Sequence, residues 1–166
     1  LKQGIANKDD ILGSENYHDA DADKQTAYQD AIRQAESVIN QTVDPTLNPD
    51  DITQALNQVN QAKNDLNGDT KLITEKQNAT SDVNGMTHLN DAQKQALTSQ
   101  IEHAPNIDAV NTAKQTAESL NNAMDQLEQA IHNKNQILAD GNYLNADQAI
   151  QDAYNQAVGN AENVLN

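Results

Sequence analysis

Alternating carboxylates at Asp19, Asp21 and Asp23, spaced by Ala20 and Ala22, are the one stretch of this sequence laid out like an oxygen-ligand loop for calcium. Such a loop needs glycine at its sixth position, where the chain turns, and a bidentate glutamate at its twelfth. Counted from Asp19, those positions hold Lys24 and Asp30. Both requirements fail, and the stretch reads instead as a helix N-terminus carrying the negative charge that the helix dipole favours.

The remaining chemistry-bearing residues are scattered. His18, His88, His103 and His132 never stand four apart, and none has a metal-ligand partner beside it on a predicted helix face, so they read as solvated surface. The few serines sit in no glycine-flanked nucleophile elbow, and no phosphate-cradling loop is present. Carboxylates are abundant but fall on polar faces, where no apolar pocket would shift them towards acid–base work. No catalytic residue, cofactor site or metal site is expected. The four tyrosines are the only aromatic residues: Tyr28 and Tyr154 fall on apolar stripes and should pack, while Tyr17 and Tyr143 fall at helix junctions, where they either wedge the joint, the ring face buried and the hydroxyl wet, which is the favoured reading, or form part of a ligand surface.

The elements that would hold these residues are helices. The chain lacks Cys, Trp and Phe, has 3 Pro and 6 Gly, and is crowded with Gln, Asn, Ala and Asp. Its cores must be small and aliphatic, which suits slender bundles, and nothing supplies the alternating β-branched and aromatic pattern of a sheet. With no cysteine there is no disulfide framework and no Cys-ligated zinc. The formal charge of −15, from 25 acidic against 10 basic residues without a basic cluster, makes nucleic acid and anionic lipid poor partners. No apolar run approaches the roughly 20 residues that span a bilayer. The sequence opens at Leu1, inside an amphipathic pattern, as a piece of something longer would.

The longest pattern runs over residues 106–140. Val110, Ala113, Ala117, Leu120, Met124, Leu127, Ile131, Lys134 and Leu138 keep strict 3-4 spacing with no glycine or proline between, which predicts one unbroken helix about 50 Å long, shared by two bundles. An earlier helix is predicted over about 19–42, burying Ala27, Tyr28, Ala31, Ile32, Ala35, Val38 and Ile39 and ending by Pro45. The next starts at the cap Asn48 with Pro49, Asp50 and Asp51 in its first turn, carries Ile52, Ala55, Val59, Ala62 and Leu66, and should stop at Gly68 as a left-handed residue. A fourth, about 70–84, offers Leu72, Ile73, Ala79 and Val83 and is closed by Gly85. A fifth starts at the cap Asn90 with Ala92, Ala96, Leu97 and Ile101, and ends before Pro105.

Sliding the chain by 126 residues superposes it on itself. Leu1 falls on Leu127, Ile5 on Ile131, Lys8 on Lys134, Leu12 on Leu138, Asn16-Tyr17 on Asn142-Tyr143, Tyr28 on Tyr154, and Ala35-Glu36 on Ala161-Glu162. Self-similarity at a fixed period marks an array of repeated modules. Residues 1–12 are then the end of a long helix, and the last stretch begins a further copy; there Asn145-Ala146-Asp147-Gln148-Ala149 keeps only Asp147 of the three carboxylates, with Asn145 in place of Asp19 and Ala149 in place of Asp23.

Asn16-Tyr17, Ala27-Tyr28-Gln29-Asp30-Ala31-Ile32 and the closing run Gln61-Ala62-Lys63-Asn64-Asp65-Leu66-Asn67-Gly68 resemble a FIVAR module. Leu89-Asn90-Asp91-Ala92-Gln93-Lys94, Leu97, Ile101, Ala104 and Ala117-Glu118-Ser119-Leu120-Asn121 resemble a GA module. The alternation is similar to that of the giant staphylococcal extracellular matrix-binding proteins. The resemblance covers essentially the whole chain and implies an all-α array of tandem three-helix bundles in an elongated rod. It divides the chain into a FIVAR bundle at 1–67, a GA bundle at 68–127 and the first two helices of another FIVAR module at 128–166. It implies a monomeric, non-enzymatic repeat at the bacterial cell surface, tied to fibronectin binding, adhesion and biofilm, with a ligand-free spacer as the alternative. Streptococcal GA modules bind albumin through an apolar and aromatic patch near their second helix. Here that helix shows Gln93, Lys94, Gln95, Thr98, Ser99 and Gln100 between its core positions, so albumin is not expected.

Overall fold

Short polar side chains start many of these helices, as the backbone demands, because the first N–H groups of a helix have no partner within it. Asn48 accepts from Asp50 N–H with Pro49 at the first helical position, and Asn90 and Gln93 exchange bonds in a reciprocal capping box. The computed structural model describes residues 1–166, and its regular elements are all helical. A short 3-10 turn (Gln3–Ile5) is followed by α1 (Lys8–Leu12), α2 (Glu15–His18), α3 (Ala22–Ile39), α4 (Pro49–Asn64) and α5 (Gly68–Gly85). Then come α6 (Asp91–Glu102), α7 (Ile107–Ile131), α8 (Lys134–Ala139), α9 (Gly141–Leu144) and α10 (Gln148–Leu165). They form two compact units, residues 1–77 with 105–107, and residues 78–104 with 108–166.

In the first unit α3 lies along α4, and the 3-10 turn packs on α4 as well. The core is Tyr17, Ala20, Tyr28, Ala31, Ile32, Ala35, Val59, Ala62 and Leu66, edged by Leu1, Ile5, Ile11 and Leu12. Alanines at alternate turns let the helices approach closely, and Tyr28, 1% exposed, fills the volume that they leave. Burial pushes its phenol above the ordinary tyrosine value. In the second unit Ala79, Val83, Leu89, Leu97, Ile101, Ala104, Val110, Ala113, Ala117 and Met124 are buried. Lys114 pairs with Asp82 at 2.6 Å, and the Asn121 side chain accepts from His88 N–H at 3.1 Å, tying α7 to α5 and to the connection that follows it.

The structure corrects several expectations. The predicted unbroken helix over 106–140 is interrupted at His132 and Asn133. Asn133 leaves helical geometry at φ −96°, ψ 16°, and His132 N–H bonds back only three residues, to Gln129. The same break occurs 126 residues earlier, where Asn7 (φ −102°, ψ 20°) separates the 3-10 turn from α1. Around the break the seam is not fully buried: Leu127, Ile131 and Lys134 are half-buried, and Leu138, expected on the buried stripe, is exposed. The helix predicted over 19–42 spans Ala22–Ile39, ending well short of Pro45. Ala27, Ile52, Ile73, Ala92 and Ala96, expected on buried stripes, are exposed. Each lies at the rim of its stripe, beyond the narrow face that a thin bundle covers.

Gly68 was expected to end α4 in the left-handed region, yet no glycine here has positive φ; α4 ends at Asn64, and Gly68 is the first residue of α5. Its lack of a side chain serves packing: a Cβ there would sit 2.4 Å from the Asn16 backbone oxygen. Gly159 in α10 has open space around it. Gly68→Ala is therefore expected to destabilise by about 1–3 kcal/mol through overpacking, although alanine is the better helix former. Gly159→Ala should stabilise by about 0.5–1 kcal/mol. Urea titration followed by circular dichroism checks both, and equal effects of one sign would contradict the packing account.

Candidate functional site

Two of the three carboxylates of the acidic stretch are taken up by the fold, and Asp23 is exposed. Asp19 accepts from Ile107 N–H at 3.0 Å, and Asp21 N–H donates to the Asn67 side-chain oxygen at 3.0 Å. Asn67 returns a bond to the Asp21 carboxylate at 2.8 Å, which also receives Lys71 at 2.9 Å. The Lys71 hydrogen bond, and after it the one from Asn67, hold the Asp21 carboxyl below the ordinary aspartate value. The run Leu66-Asn67-Gly68 thus works as a latch. Leu66 enters the core, Asn67 clasps Asp21, and Gly68 lies against Asn16, whose side chain accepts from Asp69 N–H at 2.9 Å.

The tyrosines at the helix junctions belong to a joint that occurs twice. Tyr17 meets Tyr28 edge-on at 6.3 Å, and Tyr143 meets Tyr154 at 5.8 Å. Gln25 donates to the carbonyls of Tyr17 and His18, and Gln151 to those of Tyr143 and Leu144. The hydroxyl of Tyr17 is met by Gln29 and that of Tyr143 by Asn155. The lysine that interrupts the heptad also repeats for a reason: Lys8 pairs with Glu36, and Lys134 with Glu162. The Glu36 hydrogen bond raises the Lys8 ammonium pKa.

The two copies differ in cover. Tyr17, Tyr28, Ala31 and Ile32 are buried beneath α4 and the latch, whereas Tyr143, Tyr154 and Val158 are partly open and Ala157 is exposed. A groove of about 510 Å³ lined by Ile137, Asp140, Asn142, Tyr143, Ala146, Ile150 and Tyr154 opens in the second copy. Most of its walls are the counterparts of residues that Leu66 and Gly68 close over in the first.

Of the histidines, His18, His103 and His132 are exposed, as the sequence suggested. His88 departs from that reading. Its Nδ1 lies 2.9 Å from Glu128 Oε2 and its Nε2 lies 3.7 Å from Asp125 Oδ1. Asp125 and Glu128 stand three apart on α7 and share a face, a signal visible in sequence. Their partner, forty residues from Glu128, was not.

A unit of small helical bundles with a duplicated tyrosine joint and an Asn-Gly latch defines a class of repeat module. The FIVAR domain model matches residues 1–67 and 123–166, and the GA module model matches residues 69–123. The chain belongs to this FIVAR and GA repeat family. It is 69% identical over all 166 residues to the extracellular matrix-binding protein ebh of Staphylococcus aureus strain MW2 and to EbhA of strain Newman. It spans 2% and 5% of their lengths, respectively. Among solved structures, a crystal structure of an EbhA domain from S. aureus superposes with a TM-score of 0.92 at 38% identity, covering all of this chain and 67% of that one. A second S. aureus domain, described as similar to streptococcal adhesins, superposes at 0.67 with 36% identity, covering 73% of this chain and 94% of that one.

Two outcomes follow from the latch and the groove. Because the Asp21 pKa is lowered in the folded state, the clasp contributes stability above the ordinary aspartate value and loses it as pH falls through the lowered one. The melting-temperature gap between the wild type and Asp21→Asn should thus close between about pH 5 and pH 2. A gap constant over that range would mean that the carboxylate is not the stabilising group. Joining a second copy of residues 41–68 after Asn166, in the register of the repeat, should bury Tyr154 and reduce iodide quenching of tyrosine fluorescence. Unchanged quenching would show that the groove is not the seat of an α4-like helix.

Proposed function

We propose that this chain is a non-enzymatic repeat unit of a giant bacterial surface adhesin, contributing weak contacts to extracellular matrix, fibronectin in particular, that gain strength by multiplication. The observation that carries this reading is 69% identity along the entire chain to proteins named for extracellular matrix binding, of which it is about one fiftieth in length. In this reading residues 1–67 and 128–166 are FIVAR modules, the second incomplete, and residues 68–127 are a GA module. The setting is the cell surface. No helix is long and apolar enough to cross a membrane, so attachment is assigned to other parts of the parent protein.

The physical basis is avidity. Linking modules raises the effective concentration for each successive contact, so an array holds where one module does not. A surface rich in carboxylates, with Asp21, Glu36 and Glu162 committed to internal pairs, suits a repeated module better than a reaction centre. Albumin is not a partner in this reading. The exposed positions of α6 around buried Leu97 and Ile101 include Ala92, Gln95, Ala96, Ser99 and Gln100, none of them aromatic or a large apolar residue, while Gln93 is taken up by its capping box with Asn90.

Beads carrying one copy of this chain should bind immobilised fibronectin weakly. Arrays of several copies should bind about 10²–10⁴-fold more strongly, with soluble fibronectin a poor competitor. Equal binding by one copy and by arrays would overturn the avidity mechanism. Indifference of both to fibronectin-coated, albumin-coated and bare surfaces would favour the spacer reading.

A further inference from the structure

We infer that His88, Asp125 and Glu128 form a binding site for one divalent transition-metal ion, with zinc as the best-suited occupant. One imidazole nitrogen and one oxygen from each carboxylate all lie within 4.8 Å of one another. Zinc held at about 2.0–2.2 Å by His nitrogen and carboxylate oxygen places its tetrahedral ligands roughly 3.4 Å apart. Closing from the observed spacing asks for side-chain rotation within a cluster that is already assembled. The mixed donor set favours zinc over calcium or magnesium, which prefer oxygen alone.

The supports of the cluster resemble those of a metal site. His88 is fixed from both sides, by the bond from its own N–H to Asn121 and by the following residues, buried Leu89 and the capping box of Asn90. Asp125 and Glu128 ride one helical turn apart on α7, so their spacing is set by the helix. The Gln129 amide reaches both oxygens of Asp125 at 2.9 Å, orienting the carboxylate as an outer partner does around a metal. His88 and Asp125 are partly shielded, with side chains 31% and 39% exposed, and Glu128 is exposed at 45%. The two carboxylates supply the negative charge that a divalent ion balances, and the imidazole supplies a nitrogen donor. An ion bound here joins the connection before α6 to α7 and leaves a fourth position for water or for a carboxylate of a bound partner.

The test is zinc chloride titrated into the whole 166-residue chain after chelator treatment, followed by calorimetry, melting temperature and histidine-ring NMR. One equivalent should saturate the heat, raise the melting temperature and shift the His88 ring while His18, His103 and His132 stay unmoved. His88→Gln should weaken binding at least about tenfold, as should Asp125→Asn with Glu128→Gln. Magnesium at the same concentration should leave His88 unmoved. Zinc binding undiminished in His88→Gln, equal shifts at all four histidines, or no response at His88 in the wild-type chain would each overturn the proposal. The wild-type ring signal decides the matter even if a variant fails to fold.

Discussion

Three helices are needed to close a core made almost entirely of alanine and small aliphatic residues, and the rest of this structure follows from that constraint. Two such helices leave their shared face half open, because alanine removes little apolar area from water and cannot reach across a gap. In the first unit α4 supplies Val59 and Ala62, and Leu66 follows it onto the face of α3 carrying Tyr28, Ala31, Ile32 and Ala35. The second copy has nearly the same face on α10 without that cover, and Tyr154 and Val158 remain partly open. The chain thus contains its own comparison between a closed core and an unclosed one.

That comparison separates contacts by origin. The edge-on tyrosine pair, the glutamine beneath it, the seam lysine with its glutamate and the break at Asn7 or Asn133 are present in both copies. They depend only on residues close to the joint. The Asn67–Asp21–Lys71 clasp and the approach of Gly68 to Asn16 have partners in the first unit alone, since they require chain from beyond α4. A module of this kind therefore sets its joint locally and its final closure through the segment that ends in Asn-Gly. This gives a physical reason for that run: leucine for the core, asparagine for the clasp, and glycine for a backbone approach that leaves no room for Cβ.

The charges tell a similar story. Asp19 and Asp21, which look most like ligands in the sequence, are spent on a backbone N–H, an asparagine and a lysine. The carboxylates that do converge on a ligating side chain, Asp125 and Glu128, carry no motif. Metal-loop patterns rely on ligands close together in sequence: Asp19–Asp23 has that spacing, but Asp19 and Asp21 are spent on the fold, while His88 meets Asp125 and Glu128 only through the fold. An adhesive repeat and an ion-supported connection are compatible on physical grounds, because the first concerns how modules add up and the second how one loop is held.

Composition and periodicity determined by themselves that the protein is helical, that Asn48 and Asn90 start helices, that Tyr28, Ala31, Ala35, Ala62 and Ala117 face inwards, and that the pattern recurs after 126 residues. Those features are local, written in propensities, caps and spacing. Tertiary structure alone decided that the long heptad is broken at Asn133, that Gly68 is a packing glycine, that the seam lysines answer glutamates on another helix, and that His88 stands beside Asp125 and Glu128. Each depends on which segments meet in space, and the spacing of residues along one helix carries no record of what arrives from another.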